Sequence, residues 1–332
     1  MKRTRTAVIG AGYFGSLHAA KHAELPEAEL VAVCDTDLGR AEALAAKLGA
    51  RAVTDLSELI GQVDAVSVAT PTNAHFDTAR TCLEAGIHVL IEKPISNTLE
   101  EADALTRLAA DRKLVLQVGH LERFNPVVQG LAKILDRPRY IECQRISAFK
   151  PRGTDVNVVL DMMIHDIDLV LKIVGSPVDR IDAVGAPVLS EADDIVNARL
   201  QFANGCTATV TASRVSWKRH RTMRIFQQDG YIMVDLSEAK LTFIRKTRGR
   251  DGQPELYQEE QQFETGDPLK LEIQSFLDSV GNGRPPAVSG PEGRAALAAA
   301  LDITHQLADW RRRFQDGDAP QIDGTQGAEG AR

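Results

Sequence analysis

The chain has 332 residues, 43% of them hydrophobic and 26% charged, with a formal net charge of −7. That length suits two globular domains, and the acidic balance argues against nucleic acid as a general partner. No apolar segment is long enough to span a bilayer, and the run after the basic Lys2, Arg3 and Arg5 is too short for a signal peptide. Cys34, Cys82, Cys143 and Cys206 lack paired spacing. We therefore expect free thiols, no metal site and a cytoplasmic location.

The first predicted strand, Ala7-Val8-Ile9, runs into Gly10, Gly12 and Gly15 and then a helix. A strand, a G-x-G-x-x-G turn and a helix fit a dinucleotide pyrophosphate. Gly10 allows the tight turn, Gly12 lets a phosphate approach the backbone, and Gly15 lets the helix pack on the strand. The helix, opening with Tyr13 and Phe14, offers N–H groups and partial positive charge at its N-terminus. Leu30 to Cys34 is the next strand and ends in Asp35. A carboxylate about 20 residues past the third glycine belongs on the adenosine ribose. Its charge should repel a 2′-phosphate, so we expect NAD rather than NADP, with Arg40 the one nearby group able to reverse this.

A helix over Arg40 to Leu48 stops at Gly49, followed by a short strand (Arg51 to Val53) and a short helix (Asp55 to Ile60). Strand Asp64 to Ala69, helix Asn73 to Ala85 closed by Gly86, and strand Ile87 to Ile91 come next. Thr98 and Glu101 form a capping box for a helix to about Asp111, and Leu114 to Val118 is the sixth strand. This alternation predicts a doubly wound parallel sheet in the order 3-2-1-4-5-6, with the ligand crevice at the carboxyl ends of the strands. Those ends carry Asp35, Thr70-Pro71-Thr72-Asn73 with His75, Glu92-Lys93-Pro94 and Gly119-His120. Lys93, wedged between a buried strand and a proline, cannot easily swing to bulk solvent.

Past Gly119 strand signals dominate. Tyr140 to Phe149 alternates; Asp194 to Phe202 and Cys206 to Ala212 flank the turn Asn204-Gly205. Arg224 to Gln228 and Tyr231 to Asp235 flank Asp229-Gly230, and Leu241 to Arg245 and Leu256 to Phe263 add further strands. A helix over about Val158 to Val174 interrupts them, and helices over Pro268 to Val280 and Gly293 to about Arg313 close the fold. Residues 316–332 have the composition of a disordered tail. In the inserted helix Asp161 and His165 are four apart and share a face. A carboxylate beside an imidazole fixes its tautomer and stabilises the imidazolium, although such a pair alone is more often a surface pair or a core histidine. Asp166 and Asp168 face elsewhere and read as structural. Lys150 and Arg152 could meet a diphosphate or simply be solvated. The basic run Trp217 to Arg221 reads as a strand connection or subunit contact rather than a nucleic-acid site.

Gly10-x-Gly12-x-x-Gly15, Glu92-Lys93-Pro94 and Asp161-x-x-x-His165, in that order, resemble the Gfo/Idh/MocA oxidoreductase family, and the resemblance runs to about residue 315. It implies a Rossmann domain (1–122) that binds NAD or NADP, then an α+β domain (123–315) on an open, mostly antiparallel sheet. It also implies a cis Lys93-Pro94 bond and a dehydrogenase of sugars or related alcohols. Lys93, Asp161 and His165 are then the catalytic set, and Thr70, Pro71, Asn73, His75 and Glu92 line the nicotinamide side of the cofactor path. The phrase Gly119-His-Leu-Glu-Arg-Phe-Asn-Pro126 looks like the nucleotide-sugar branch of the family. That likeness implies substrate contacts from His120, Arg123 and Asn125, together with Arg152 and His165; a structural ion pair is the other reading of Arg123.

The reaction expected from this resemblance is hydride transfer between the C3 hydroxyl of a UDP-N-acetylhexosamine, such as UDP-N-acetylglucosamine, and the nicotinamide. A dehydrogenase of a free sugar, inositol or small carbonyl compound is the alternative. A non-enzymatic NAD(P)-binding regulator is a second, opposed by the intact Lys93, Asp161 and His165. A sheet with one face bare of helices would leave apolar strand residues in water. Family members commonly pair through this face, so a homo-oligomer, dimer or tetramer, is expected.

Overall fold

Buried apolar strands separated by helices satisfy their backbones side by side in a parallel sheet with both faces covered. The computed structural model, which describes residues 3–149, 157–228, 230–248 and 253–315, contains such a sheet. Its strands are β1 (Thr4–Ile9), β2 (Ala28–Cys34), β3 (Arg51–Val53), β4 (Ala65–Val68), β5 (His88–Glu92) and β6 (Leu116–Gly119). They run parallel in the order β3-β2-β1-β4-β5-β6. Helices α1 (Tyr13–Glu24), α2 (Leu38–Leu48), α3 (His75–Glu84) and α4 (Leu99–Asp111) make the crossovers. Thr98 and Glu101 form the expected capping box. The chain reverses direction of winding between β1 and β4, so the crevice opens above the glycine turn.

A 3-10 turn (Leu121–Phe124) and α5 (Pro126–Leu131) lead into the second sheet. It contains β7 (Tyr140–Ile146), β8 (Val178–Ala186), β9 (Ile195–Phe202), β10 (Thr207–Ser213), β11 (His220–Gln227), β12 (Gly230–Asp235), β13 (Lys240–Arg248) and β14 (Pro254–Gln262). The order is β14-β13-β12-β11-β7-β10-β9-β8, antiparallel among the described strands except for β7 beside β10. Between β7 and β8 lies α6 (Ile164–Val174), and α7 (Pro268–Asn282) and α8 (Gly290–Gln315) follow β14. Strand β8 has no period-two signal in its sequence. It is an edge strand held by α8, where Gln306 bonds both the Ala183 N–H and the Ile181 carbonyl.

Alternation along the strands turns Ile141, Cys143, Val196, Leu200, Val210, Met223 and Ile225 toward α6 and α8, where they form the core. The opposite face is mixed, apolar as expected in part and polar in part. It carries Thr207, Thr209, Thr211, Asn197, Glu142 and Gln144, which suit a wet strand face. It also carries exposed Val184, Ile195 and Met233 and a ladder of Tyr140, Phe226 and Tyr231, stacked at 5.7 and 5.4 Å.

The first sheet ends at Gly119 and the second begins at Tyr140, but the later segment serves both. Helix α7 returns to the first sheet, where Ile273, Phe276 and Leu277 pack with Leu25, Ala65, Leu90 and Val115. Helix α8 starts against β6: a Cβ on Gly293 would lie 2.6 Å from Val118. The four cysteines are free and buried. Among the described residues no helix is long and apolar enough to cross a membrane. The expected tail at 316–332, and Asp229 of the expected Asp229-Gly230 turn, lie outside the described residues.

Candidate active site

The cofactor half of the site is built from backbone. Gly10 has φ 98°, and a Cβ there would fall 2.6 Å from the Ala69 carbonyl oxygen; one on Gly15 would fall 1.6 Å from that of Gly10. The protein's own packing therefore demands glycine at both positions. A Cβ on Gly12 would meet no atom within 4 Å, so the space above it is open to a ligand. Gly12 caps α1 without a side-chain bond, which leaves first-turn N–H groups for an anion. At the end of β2, Asp35 accepts from the Ala11 N–H at 2.7 Å and the Asp37 N–H at 2.9 Å, and from the Arg40 guanidinium at 3.0 Å. Tyr13 and Phe14 stand exposed beside the turn, packed edge-on at 5.4 Å. Beyond β4, the Thr70 hydroxyl is buried without a partner, and Pro71 and Asn73 are exposed. An open approach, a helix N-terminus and an orphaned hydroxyl along one crevice fit a dinucleotide.

The second half lies where the sheets meet. At the end of β5, Glu92 pairs with His18 Nε2 at 2.8 Å and accepts from the Lys93 N–H at 3.3 Å. Burial would raise the Glu92 carboxyl, but the His18 bond and the Lys93 charge outweigh it and hold the pKa below the usual range. The Lys93-Pro94 peptide is cis. Lys93 Nζ donates to the backbone carbonyls of Asp161 (2.7 Å) and Leu160 (3.4 Å), with the Asp161 carboxylate 3.8 Å away. Burial lowers the Lys93 pKa, and Asp161 and Glu92 oppose that shift. The receiving turn, Val159–Met163, is π-helical and continues into α6. On α6, His165 has its Nδ1 buried without a partner among the described residues. Burial first, then the cations Lys93 and Arg145, push its pKa well below 6.5, so the imidazole is neutral at pH 7.

Several expected roles change. Asp161 does not brace His165: the π turn breaks the α-helical spacing that would align residues four apart, and the Asp161 carboxylate turns to Lys93 instead. His75 is 1% exposed, and its ring nitrogens meet the carbonyls of Pro94 (2.8 Å) and Thr70 (3.0 Å). It braces two crevice loops from behind rather than lining the path. Arg123 is locked into Asp168 by two bonds (2.7 and 2.6 Å) and into Glu292 by a third (2.7 Å), which leaves it no fork for a substrate. Asn125 caps α5 through the Val127 N–H at 3.1 Å. His120 is buried behind Lys93 with both ring nitrogens unbonded and Asp168 3.9 Å from Nδ1. Arg152, with Lys150, lies outside the described residues.

The sequence reading missed Arg145, Arg221 and Glu122. Strand parity was the available signal, because Arg145 falls on the buried face with Ile141 and Cys143. Asp166 and Asp168 are ion-paired as expected, to Arg145 and Arg123.

A family of oxidoreductases with an NAD-binding Rossmann fold matches residues 4–120, and the GFO/IDH/MocA C-terminal domain matches residues 136–233. The chain belongs to the Gfo/Idh/MocA oxidoreductase family. It is 41% identical over 306 residues to a UDP-N-acetylglucosamine 3-dehydrogenase of Acidithiobacillus ferrooxidans, covering 91% of this chain and 97% of that one. A solved structure of a UDP-N-acetylglucosamine 3-dehydrogenase from that organism superposes with TM-score 0.88 at 38% identity, over 93% and 99% of the two chains. A myo-inositol 2-dehydrogenase of Thermotoga maritima is 29% identical over 92% of this chain and 97% of its own. Scyllo-inositol dehydrogenase from Lactobacillus casei, solved with NAD(H) and scyllo-inositol, shares the fold at TM-score 0.79 and 20% identity, over 93% and 98%. The family member described here is an enzyme, an oxidoreductase among sugar and inositol dehydrogenases.

Proposed function

We propose that the enzyme oxidises the C3 hydroxyl of a UDP-N-acetylhexosamine, UDP-N-acetylglucosamine in the first instance, with NAD. The observation that carries the reading is the reach of Lys93 across the seam to the carbonyls before α6, beside a neutral His165. A bound dinucleotide supplies the hydride acceptor. Gly12, the first turn of α1 and Asp35 would hold it, with Thr70, Pro71 and Asn73 along the nicotinamide side. His165 takes the hydroxyl proton, and its low pKa keeps it ready to do so into mildly acidic solution. Lys93 has two donors directed at carbonyls. Its third offers positive charge to the oxygen that gains alkoxide character. Asp161 positions Lys93.

The 41% identity to a UDP-N-acetylglucosamine 3-dehydrogenase supports the sugar. Asp35 supports NAD, with Arg40 close enough to soften the preference. A screen of UDP-sugars with NAD and NADP, following nicotinamide absorbance and the oxidised carbon by NMR, tests the reading. Turnover of free inositol with none of any UDP-sugar overturns the substrate, and tighter binding of NADP than NAD overturns the cofactor. We further propose a homo-oligomer formed through the open sheet face. The aromatic ladder supports it, and a mass of 36.1 kDa by light scattering at micromolar concentration excludes it.

A further inference from the structure

Strands β7 and β11 pair antiparallel with Arg145 opposite Arg221. Parity places both on the inner face, Arg145 with Cys143 and Arg221 with Met223. Like charges directly opposite repel, so each guanidinium needs a carboxylate. Arg145 has two: Asp166 takes Nε and Nη2 at 2.8 Å each, and Glu122 Oε1 takes Nη1 at 2.8 Å. Among the described residues the Arg221 guanidinium makes one hydrogen bond, a long one of 3.4 Å to that same Glu122 oxygen. Its side chain is 35% exposed, against 3% for Arg145.

Arg221 also stands by the catalytic seam, since it shares Glu122 with Arg145, whose other partner, Asp166, follows His165 in the chain. Burial, then the neighbouring Arg145, lowers the Arg221 pKa itself. Its guanidinium has one long bond, to an oxygen already taken by Arg145, and an anion would supply a second partner. A half-exposed planar fork with free donors suits phosphate oxygens. We propose that Arg221 receives the diphosphate of a nucleoside diphosphate sugar whose ring lies between Lys93 and His165. Arg221 thus takes the role that the locked Arg123 cannot fill, and the assignment rests on the function proposed above.

The test uses the protein saturated with NAD. UDP and uridine are titrated calorimetrically into wild type, Arg221→Gln and Arg221→Lys, alongside steady-state kinetics on UDP-N-acetylglucosamine. That sugar carries no carboxylate, so any dependence on anion recognition comes from its phosphates. Arg221→Gln should weaken UDP at least about tenfold, roughly the worth of one charge-assisted hydrogen bond. It should raise KM by more than it lowers kcat and leave uridine and NAD affinities unchanged, while Arg221→Lys recovers part of the UDP affinity. UDP affinity within twofold of wild type in Arg221→Gln, with wild type active on the UDP-sugar, overturns the assignment and leaves the function standing. Equal loss of NAD affinity, kcat and thermal transition in both variants makes Arg221 a fold residue and also overturns it. A wild type that neither binds UDP nor oxidises the UDP-sugar overturns both proposals.

Discussion

At the glycine turn, what the protein offers a ligand is backbone N–H groups and the open space above Gly12. At the seam between the sheets it offers an ammonium, an imidazole and a guanidinium, each carried in on a different element. Backbone dipoles need no counter-ion. Side-chain cations taken out of water do, so the seam fills with carboxylates: Asp166 and Glu122 on Arg145, Asp168 and Glu292 on Arg123. Counting partners then separates the cations that hold the fold from those that face a ligand. Arg123 falls in the first class and Arg221 in the second, although the sequence around Arg123 looks the more like a binding motif.

The largest effect should come from the class that holds the fold. Arg123→Ala leaves Asp168, 1% exposed, as an uncompensated buried charge. Removing one partner of a buried pair costs about 3–5 kcal/mol, so the denaturation midpoint should drop sharply while KM of the folded fraction stays near wild type. An unchanged midpoint with a raised KM would return Arg123 to the substrate and break the partition.

Next come the groups left facing the ligand. Lys93→Ala and His165→Ala should each lower kcat by roughly 100-fold or more, with the Kd for NAD nearly unchanged. Asp161→Asn should lower it less, acting through Lys93. Loss of NAD affinity equal to the loss of kcat would place either residue in cofactor binding instead. His165 sharpens the point further. Because burial and its cationic neighbours depress it, the acid limb of kcat/KM should lie below the ordinary imidazole value of about 6.5. A limb at or above that value would show that His165 is not the base or that its neighbours lie elsewhere.

The same contrast decides what could be read from residues alone. The first sheet was legible strand by strand, and with it Gly10, Gly12, Gly15 and Asp35, because a backbone site is written in contiguous residues at fixed spacing. Lys93 was legible from its place before Pro94. The seam was less so. Asp161 lies beside Lys93, but its expected contact with His165 depended on an α-helical spacing that the π turn removes. Arg123, Asn125 and His75 looked like ligand contacts because their partners, Asp168, Val127 and the carbonyls of Thr70 and Pro94, become known only when the chain folds. Arg145 was in view as a member of an alternating strand and Arg221 as the end of a basic run read as a strand connection. Nothing local says that β7 and β11 set them opposite one another.

A smaller effect tests the backbone half. Gly12→Ala adds a methyl that touches no protein atom, so stability should hold. The methyl occupies the space kept for a phosphate, and NAD should bind at least about tenfold more weakly, or about 1.4 kcal/mol. Equal stability with equal NAD affinity would move the pyrophosphate away from this turn.

A test by pH comes from a carboxylate for which the described residues provide no cation. Glu272 on α7 is fully buried, and neither of its carboxyl oxygens has a hydrogen-bond partner among the described residues. Burial first, then the charges of Glu92 and Asp168, raise its pKa well above 4.5, so the folded protein holds this proton past the pH at which the unfolded chain releases it. The sign of the consequence follows from linkage. As pH rises past about 4.5 the unfolded chain releases this proton while the native state keeps it, so the residue lowers stability progressively until the folded pKa is reached. Glu272→Gln removes the titration and keeps the shape. The variant should therefore gain on wild type as pH is raised from about 5 to about 8, by at most about 1.4 kcal/mol per pH unit. Denaturant midpoints at the two pH values read the difference. A constant gap would mean that Glu272 is ionised in the folded protein, and that a cation or bound water supports it where the arrangement of charges at the seam supplies none.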